Sequence, residues 1–179
     1  MNELEHDIKL ARKGDKDAFS RLIHAMELNL YRVARSIVKR EEDCADAIQE
    51  TILKAYHAIH TLREPAFFKT WLFRILINEC NQILRKESRL FPSSEAFVKE
   101  ASTQDIYENI DLIEAVNRLE EALKLVVTLH YFEDIPLKQI SQLLKTPEGT
   151  IKSRLHRARI ILAECLQGPD ERRIGYESC

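Results

Sequence analysis

The chain has 179 residues, of which 45% are apolar and 31% are charged. This length allows one large domain or two small ones of about 70–90 residues each, and the scarcity of Gly (4) and Pro (5) argues against a loop-rich β-sandwich and against disorder. No apolar run approaches the ~20 residues that span a bilayer, and the charged N-terminus lacks the apolar core of a signal peptide. Because the cysteines are scattered without metal-ligand spacing, we expect a reduced, cytoplasmic protein with no metal site and no cofactor; they are Cys44, Cys80, Cys165 and Cys179.

Charge is distributed unevenly along the chain, although the formal net charge is only −2. Residues 91–134 carry 3 Lys and Arg against 10 Asp and Glu, whereas residues 135–163 carry 6 against 1. A short basic block therefore follows an acidic one, and this asymmetry directs attention to nucleic acid as a partner of the basic block.

The apolar residues of nearly every segment recur with the period of a helix and not of a strand, which predicts an all-α fold. The N-terminal half contains three predicted helices, at about 17–39, 44–60 and 71–87. Asp43 and Thr70 are suitable N-caps for the second and third of these helices.

Helical periodicity fades between about 88 and 110, where Ser, Glu and Pro accumulate. We therefore predict two small helical domains, at 1–90 and 111–168, joined by a flexible linker at 91–110. A tail at 169–179 is expected to fray.

The segment from Pro136 to Leu162 has the pattern of a helix-turn-helix. Pro136 suits the first turn of a short helix, and Thr146 and Pro147 suit the N-cap and the first position of the next helix. The buried face of that second helix is predicted to consist of Ile151, Leu155, Ala158 and Leu162.

The remaining face of this second helix is polar and basic. A helix of this kind fits the major groove, where its N-terminal half can read base edges while Lys and Arg contact phosphates. The predicted DNA contacts are Gly149, Thr150, Lys152, Ser153, Arg154, His156 and Arg157. Arg154 and Arg159 project nearer the buried side, so we assign them to phosphates or to intramolecular pairing. The alternative is a solvated basic face on an ordinary helical hairpin.

The predicted helix at 44–60 carries an acidic cluster opposite its core stripe. Ile48, Ile52, Ala55 and Ile59 are the predicted core positions. The residues that point the other way form a candidate protein-docking surface: Asp46, Gln49, Glu50 and Leu53. The alternative is that acidic residues near the start of the helix only complement its macrodipole.

The predicted helix at 71–87 mixes guanidinium, carboxamide and indole groups on one arc, which suits phosphate contacts together with base hydrogen bonds and stacking. The predicted contacts on the helix are Trp71, Arg74, Asn78, Gln82 and Arg85, and the connector before it adds Arg63, Phe67, Phe68 and Lys69. Stacking on such aromatic rings contributes about 1–3 kcal/mol per unpaired base. The alternative is that the aromatic residues simply close the helical bundle.

Taken in this order, these constellations resemble the extracytoplasmic-function (ECF) class of bacterial sigma-70-type transcription initiation factors. The matching segments are GDKDAFSRLI, DAIQETILKAY, TWLFRILINECNQILRK and TPEGTIKSRLHRAR. The resemblance covers about residues 8–165 apart from the linker. It implies a region-2 domain at about 1–90 and a region-4 helix-turn-helix domain at about 111–168.

The resemblance also implies roles for individual residues. Asp46, Gln49 and Glu50 match positions that dock on the coiled coil of the polymerase β′ subunit. The connector at 60–70 matches the loop that captures a flipped base of the −10 element, and the helix that faces this element carries Asn78, Gln82 and Arg85. The positions that match the −35-reading face are Lys152, Ser153, His156 and Arg157. Gln82 departs from the family pattern, which usually has Asp there.

The partners implied by the resemblance are core RNA polymerase, through its β′ coiled coil and β flap, and promoter DNA. No small-molecule substrate is implied. The family usually has a cognate anti-sigma factor, often membrane-anchored, that clamps both domains, and we expect one here. The first rival interpretation is a stand-alone helix-turn-helix regulator with an N-terminal sensor domain. The second is an enzyme, but the sequence has no Gly-rich phosphate loop, no metal-ligand spacing and no nucleophile–base pair.

Overall fold

The structure, a computed structural model, describes residues 3–90 and 110–166. Within these two ranges the regular secondary structure is helical and no strand is present. The described residues form two compact units, with residues 3–90 in the first and nearly all of residues 110–166 in the second. The predicted all-α fold of two small domains is therefore confirmed. Apart from Ile110, the predicted linker at 91–110 lies outside the described residues, as does the predicted tail.

The first unit is a bundle of four α-helices. They are α1 (Glu3–Ala11), α2 (Lys16–Arg35), α3 (Glu41–Ala58) and α4 (Phe68–Leu90), with short 3₁₀ turns at Ile59–Thr61 and Pro65–Phe67. Helices α2, α3 and α4 pack on one another, and α1 packs on α2. Arg21 donates two hydrogen bonds to the Asp7 carboxylate, of 2.6 and 3.1 Å, which tie α1 to α2 and lower the pKa of Asp7.

Two of the predicted helix starts are wrong. Helix α3 begins at Glu41, so Asp43 lies inside its first turn, where its charge complements the helix dipole. Helix α4 begins at Phe68, so Thr70 also lies inside a first turn. The 3₁₀ turn at Pro65–Phe67 runs directly into this helix, and the aromatic ring of Phe68 is buried in the core, at 1% exposure.

Of the four core positions predicted for α3, Ala55 and Ile59 are buried as predicted, whereas Ile48 and Ile52 are not. The residues of α3 that are buried are Cys44, Ala47, Thr51 and Ala55, and Ile59 is buried in the turn that follows. Ile48 and Ile52 are only half-buried. Because α3 packs on both α2 and α4, its small residues occupy the crowded side, and the larger isoleucines are left at the edge of the interface.

The second unit contains the helix-turn-helix. Its elements are α5 (Ile110–Arg118), α6 (Glu121–Val127), a π-helical segment (Thr128–Phe132), α7 (Leu137–Leu144) and α8 (Glu148–Leu166). Helices α5 and α6 pack on α8. Pro136 is the N-cap residue of α7, and Pro147 directly precedes α8 and does not occupy its first position.

The turn between α7 and α8 has a defined geometry. Lys145 adopts the left-handed conformation, with φ of 51°, as residues that end a helix often do. The backbone N–H of Thr146 donates to the Ser141 carbonyl at 3.0 Å, and the Ser141 hydroxyl donates to the Thr146 carbonyl at 2.7 Å. These two bonds set the direction in which α8 leaves the turn.

The N-cap of α2 can be tested directly. The Asp15 carboxylate accepts a hydrogen bond from the Ala18 backbone N–H at 2.9 Å. Asp15→Ala is expected to destabilise the first unit by about 1 kcal/mol, as the loss of an N-cap typically does. The measurement is urea unfolding followed by the fluorescence of Trp71, the single tryptophan of the chain.

Asp17→Ala is the matched control, since it removes an exposed carboxylate from the same first turn without removing a cap. It should change the free energy of unfolding by a few tenths of a kcal/mol. Equal losses of unfolding free energy in the two variants would show that the missing charge, and not the missing cap, destabilises the helix.

Candidate nucleic-acid and protein interfaces

The two faces of α8 have the predicted exposure. Ile151, Leu155 and Ala158 are buried, at 3% exposure or less, and Leu162 is half-buried. The exposed residues of the opposite face are Gly149, Lys152, Ser153, His156 and Arg157. A Cβ atom at Gly149 would meet nothing within 4 Å, so the first turn of α8 is open to an approaching backbone or base.

Polar side chains on this face are held by weak local contacts. Lys152 Nζ lies 2.8 Å from Glu148 Oε1, and this contact lowers the pKa of Glu148. The Ser153 hydroxyl donates to the Thr150 carbonyl at 2.9 Å. An exposed ion pair contributes about 1 kcal/mol or less, so a phosphate can readily replace Glu148 as the partner of Lys152.

Arg154 and Arg159, which were predicted to project nearer the buried side of α8, differ in their surroundings. Arg159 Nε donates to the Tyr131 hydroxyl at 2.5 Å, and its guanidinium lies 5.6 Å from the centroid of the Tyr131 ring. The structure therefore gives Arg159 the intramolecular partner that was one of its two predicted roles. Arg154 is half-buried and Thr150 is also half-buried, so both are less accessible than Arg157.

The predicted docking residues of α3 are all exposed. These are Asp46, Gln49, Glu50 and Leu53, with Leu53 at 49% exposure. Beside them lies an apolar groove of about 400 Å³, which the sequence analysis missed. Its lining includes Tyr31 from α2 and Ile48, Ile52 and Leu53 from α3. Ala47, Thr51 and Ala55 occupy the core side of α3. The sequence could have indicated the groove through Ile48 and Ile52, which form a second apolar face of the helix.

Tyr31 forms the polar edge of this groove. Its hydroxyl donates to Glu41 Oε2 at 3.2 Å, and burial together with the Glu41 charge raises the pKa of Tyr31. The hydroxyl is therefore a neutral hydrogen-bond donor across the physiological pH range. Nearby on the same helix, Leu28 is 65% exposed.

The connector and α4 present most of the predicted DNA contacts to solvent. Six of these are exposed, namely Arg63, Phe67, Arg74, Asn78, Gln82 and Arg85, while Lys69 and Trp71 are half-buried. Phe67 is 51% exposed, which leaves its ring accessible for stacking. The connector also contacts the turn that follows α1, where Arg12 Nη1 donates to the Arg63 carbonyl at 3.3 Å.

Phe68 is the predicted contact that the structure contradicts. Its side chain is only 1% exposed, so no base can stack on it without unfolding the start of α4. The neighbouring Trp71 ring lies 6.1 Å from it, centroid to centroid. For Phe68 the bundle-closing alternative is correct, whereas Phe67 points to solvent.

Glu79 lies between α3 and α4 and is 7% exposed. Its Oε2 atom is 2.5 Å from Lys54 Nζ of α3, and its Oε1 atom accepts a hydrogen bond of 3.1 Å from Gln82 Nε2. Helical periodicity puts Glu79 at the edge of the apolar face of α4, where the sequence alone gives a carboxylate no evident partner. The ion pair explains why a carboxylate is tolerated there.

Two family models match the chain, Sigma-70 region 2 over residues 22–90 and Sigma-70, region 4 over residues 110–162. The RNA polymerase sigma factor SigV of Bacillus subtilis (strain 168) is 33% identical over 132 residues, which cover 73% of this chain and 80% of SigV. The ECF RNA polymerase sigma-E factor of Escherichia coli (strain K12) is 31% identical over 172 residues, which cover 85% and 88% of the two chains. The chain belongs to the ECF sigma factors of the sigma-70 family.

Two solved structures share this fold. The sigma factor RpoE from Bartonella quintana, solved with the anti-sigma factor NepR, has a TM-score of 0.72 and 25% identity, covering 84% of this chain and 98% of that one. CnrH, solved with the cytosolic domain of CnrY, has a TM-score of 0.64 and 23% identity, covering 92% and 97%, and shows the fold alone. As a sigma factor, the chain is a transcription initiation factor that directs RNA polymerase to promoters, and it is not an enzyme.

Three cysteines of this sigma factor, Cys44, Cys80 and Cys165, lie in the part of the chain that the structure describes. Among residues 3–90 and 110–166, no group of three or more His, Cys, Asp or Glu side chains could hold a metal ion. Within the same ranges, no helix combines the length and apolar character needed to cross a membrane. Cys44 and Cys80 are buried, whereas Cys165 is exposed.

Thiol reactivity should follow this difference. Burial raises the pKa of Cys44 to about 11 and that of Cys80 to about 12. At pH 8 both thiols stay protonated, so iodoacetamide should modify Cys165 faster than either of them by roughly a hundredfold. Peptide mapping by mass spectrometry gives the rates, and labelling of the unfolded protein is the control. Equal labelling of Cys44 in the folded protein would contradict the buried position of α3's core stripe.

Proposed function

We propose that this sigma factor docks on core RNA polymerase through α3, places α8 in the major groove of the −35 element, and holds unpaired −10 bases with the connector and α4. The single observation that carries the proposal is the segregation of α8 into a buried apolar face and an exposed polar one. Only such a helix can lie in a groove while its other side stays in a folded domain. We place this activity in the cytoplasm.

The docking surface supports binding of a partner helix with basic and apolar side chains. Asp46 and Glu50 supply carboxylates, and the groove lined by Ile48 and Ile52 supplies an apolar pocket directly beside them. Apolar contacts supply most of the affinity at such interfaces, while the charges orient the partner and exclude wrong ones. The β′ coiled coil implied by the family resemblance is the partner that we propose for this surface. The β flap is the corresponding partner of the second unit.

The −10 surface supports capture of bases that have left the duplex. Unpairing and unstacking costs a few kcal/mol for each base, and stacking offsets about 1–3 kcal/mol of it. Phe67 offers an exposed ring, and Arg63, Arg74 and Arg85 offer cations for the phosphates of the same strand. Because the polymerase contact and the two DNA contacts are linked, each raises the effective concentration of the next. A net charge of −2 is therefore compatible with promoter binding, since free duplex need not be bound tightly.

We propose an anti-sigma factor as the second protein partner. RpoE of Bartonella quintana, which shares the fold and 25% of its residues with this chain, was solved with the anti-sigma factor NepR. The exposed apolar residues Leu28, Tyr31 and Leu53 give such a partner a surface on the first unit. A partner on this surface would compete with the polymerase for α3.

The −35 assignment predicts a promoter-dependent defect in one variant. Arg157→Ala removes an exposed guanidinium from the polar face of α8 and should reduce run-off transcription from a cognate promoter about tenfold, as the loss of a good base or phosphate contact does. Binding to core polymerase should be unchanged. A promoter with a scrambled −35 element is the control, because the variant and the wild type should be equally weak on it. Full activity of the variant on the cognate promoter would refute the groove assignment.

The docking assignment predicts a defect in polymerase binding. The double change Gln49→Ala with Glu50→Ala should weaken association with core polymerase about tenfold in a competition pull-down, since it removes central polar contacts of the interface. Glu5→Ala with His6→Ala is the matched control, because both residues are exposed on α1. Unchanged association of the Gln49/Glu50 variant would remove the docking claim.

A gel-shift experiment with purified protein separates this function from a stand-alone regulator. The sigma factor should shift promoter DNA only when core polymerase is present. A sequence-specific shift by the protein alone, at half-sites one helical turn apart, would support the regulator instead.

A further inference from the structure

The contact between Glu79 and Gln82 links a buried group of the first unit to one of its proposed DNA contacts. Glu79 is 7% exposed, while Gln82, one turn further along α4, is exposed. Gln82 Nε2 donates to Glu79 Oε1 at 3.1 Å. The exposed Gln82 amide is therefore oriented by a hydrogen bond to a buried residue of the same helix.

The carboxylate itself is held from the neighbouring helix. Lys54 Nζ of α3 lies 2.5 Å from Glu79 Oε2, so the two carboxylate oxygens have different partners on different helices. A charge-assisted hydrogen bond of this kind is stronger than one between neutral groups. It prevents the carboxylate from turning, and Oε1 consequently stays directed at Gln82.

The chemistry of the two groups decides which way the Gln82 amide faces. An ionised carboxylate can only accept hydrogen bonds, so the amide must present its nitrogen, and not its oxygen, to Glu79. One N–H is used in this way. Among the described residues, Gln82 has no hydrogen-bond partner other than Glu79, so its carbonyl oxygen and second N–H remain available.

An adjacent acceptor and donor on a carboxamide match adenine. The amide oxygen accepts from the adenine 6-amino group, and the amide N–H donates to the adenine ring nitrogen N7. No other base offers this two-point pairing at its major-groove edge. If the amide were free to rotate by 180°, the acceptor and the donor would exchange positions. The preference for adenine would then be lost.

We propose that Glu79 is a positioning residue that holds the Gln82 amide in one orientation, and that Gln82 thereby selects adenine, read at its major-groove edge, at one position of the −10 element. This inference rests on the proposed function, because it requires α4 to face that element. It adds the base that is selected and the residue that enforces the selection.

The first test is run-off transcription with core polymerase on a promoter library randomised across the −10 element. Wild-type protein should favour adenine at one position about tenfold over each of the other three bases, within the range of a good two-point contact. Both Glu79→Gln and Gln82→Met should reduce this preference to about twofold or less, and the double variant should show no further loss. Preferences at the other −10 positions should not change.

One further variant distinguishes the loss of positioning from a folding defect. Glu79→Gln leaves Lys54 without its anion, whereas Glu79→Gln combined with Lys54→Met removes the ion pair as a unit and leaves no uncompensated charge. The combined variant should melt cooperatively and show the same loss of adenine preference.

The second test does not involve DNA. In NMR spectra of the free sigma factor, one side-chain amide proton of Gln82, assigned by its absence in Gln82→Met, should be shifted downfield and exchange slowly. In Glu79→Gln it should resemble the amide of the exposed Gln142. An ordinary, rapidly exchanging Gln82 amide in the wild type overturns the positioning claim.

The two tests separate the failure of this inference from the failure of the proposed function. If the wild-type protein directs transcription from promoters but Gln82→Met leaves every −10 preference unchanged, the adenine selection is refuted and the proposed function stands. If no promoter-directed transcription occurs with core polymerase, the proposed function fails and the adenine selection fails with it.

Discussion

The close packing of α3 between α2 and α4 determines the first unit of this sigma factor. It depends on the small residues Cys44, Ala47, Thr51 and Ala55, which are all buried at 1% exposure or less. Small side chains allow helix axes to approach, and the ridge they form decides the rotation of α3 about its own axis. Larger residues on this side would push the three helices apart.

The rotation of α3 about its axis determines which residues lie on its two exposed edges. On one edge, Ile48 and Ile52 are turned out of the core and line a groove beside Gln49. On the other, Lys54 reaches Glu79 of α4 and forms the ion pair that carries the positioning argument. The surfaces that we propose for polymerase and for −10 bases therefore depend on the same packing. A mutation in this core would be expected to alter both properties together.

The second unit uses a different constraint, which is the fixed turn between α7 and α8. The left-handed Lys145 and the two hydrogen bonds between Ser141 and Thr146 hold α8 in one direction. The apolar face of α8 then packs on α5 and α6, and Arg157 is left exposed on the opposite face. If α8 enters a groove as proposed, a helix held in this way loses little conformational freedom there, so little affinity is lost to ordering.

The sequence alone determined the all-α class, the division into two helical units, the exposed polar face of α8 and the exposure of the α3 acidic cluster. These features follow from periodicity and charge, which act locally and can be read along the chain. It did not determine which of two adjacent aromatic residues is buried. Phe67 and Phe68 have the same chemistry, and only the path of the connector decides between them.

The tertiary structure alone decided the rotation of α3, the partner of Glu79 and the burial of Phe68. Each depends on a neighbouring helix that is distant in the chain, as Lys54 is from Glu79. A helical pattern with two apolar stripes is compatible with more than one rotation, and packing against α2 and α4 selects the one that buries the small residues. The groove beside Gln49 and the orientation of Gln82 are consequences of that selection.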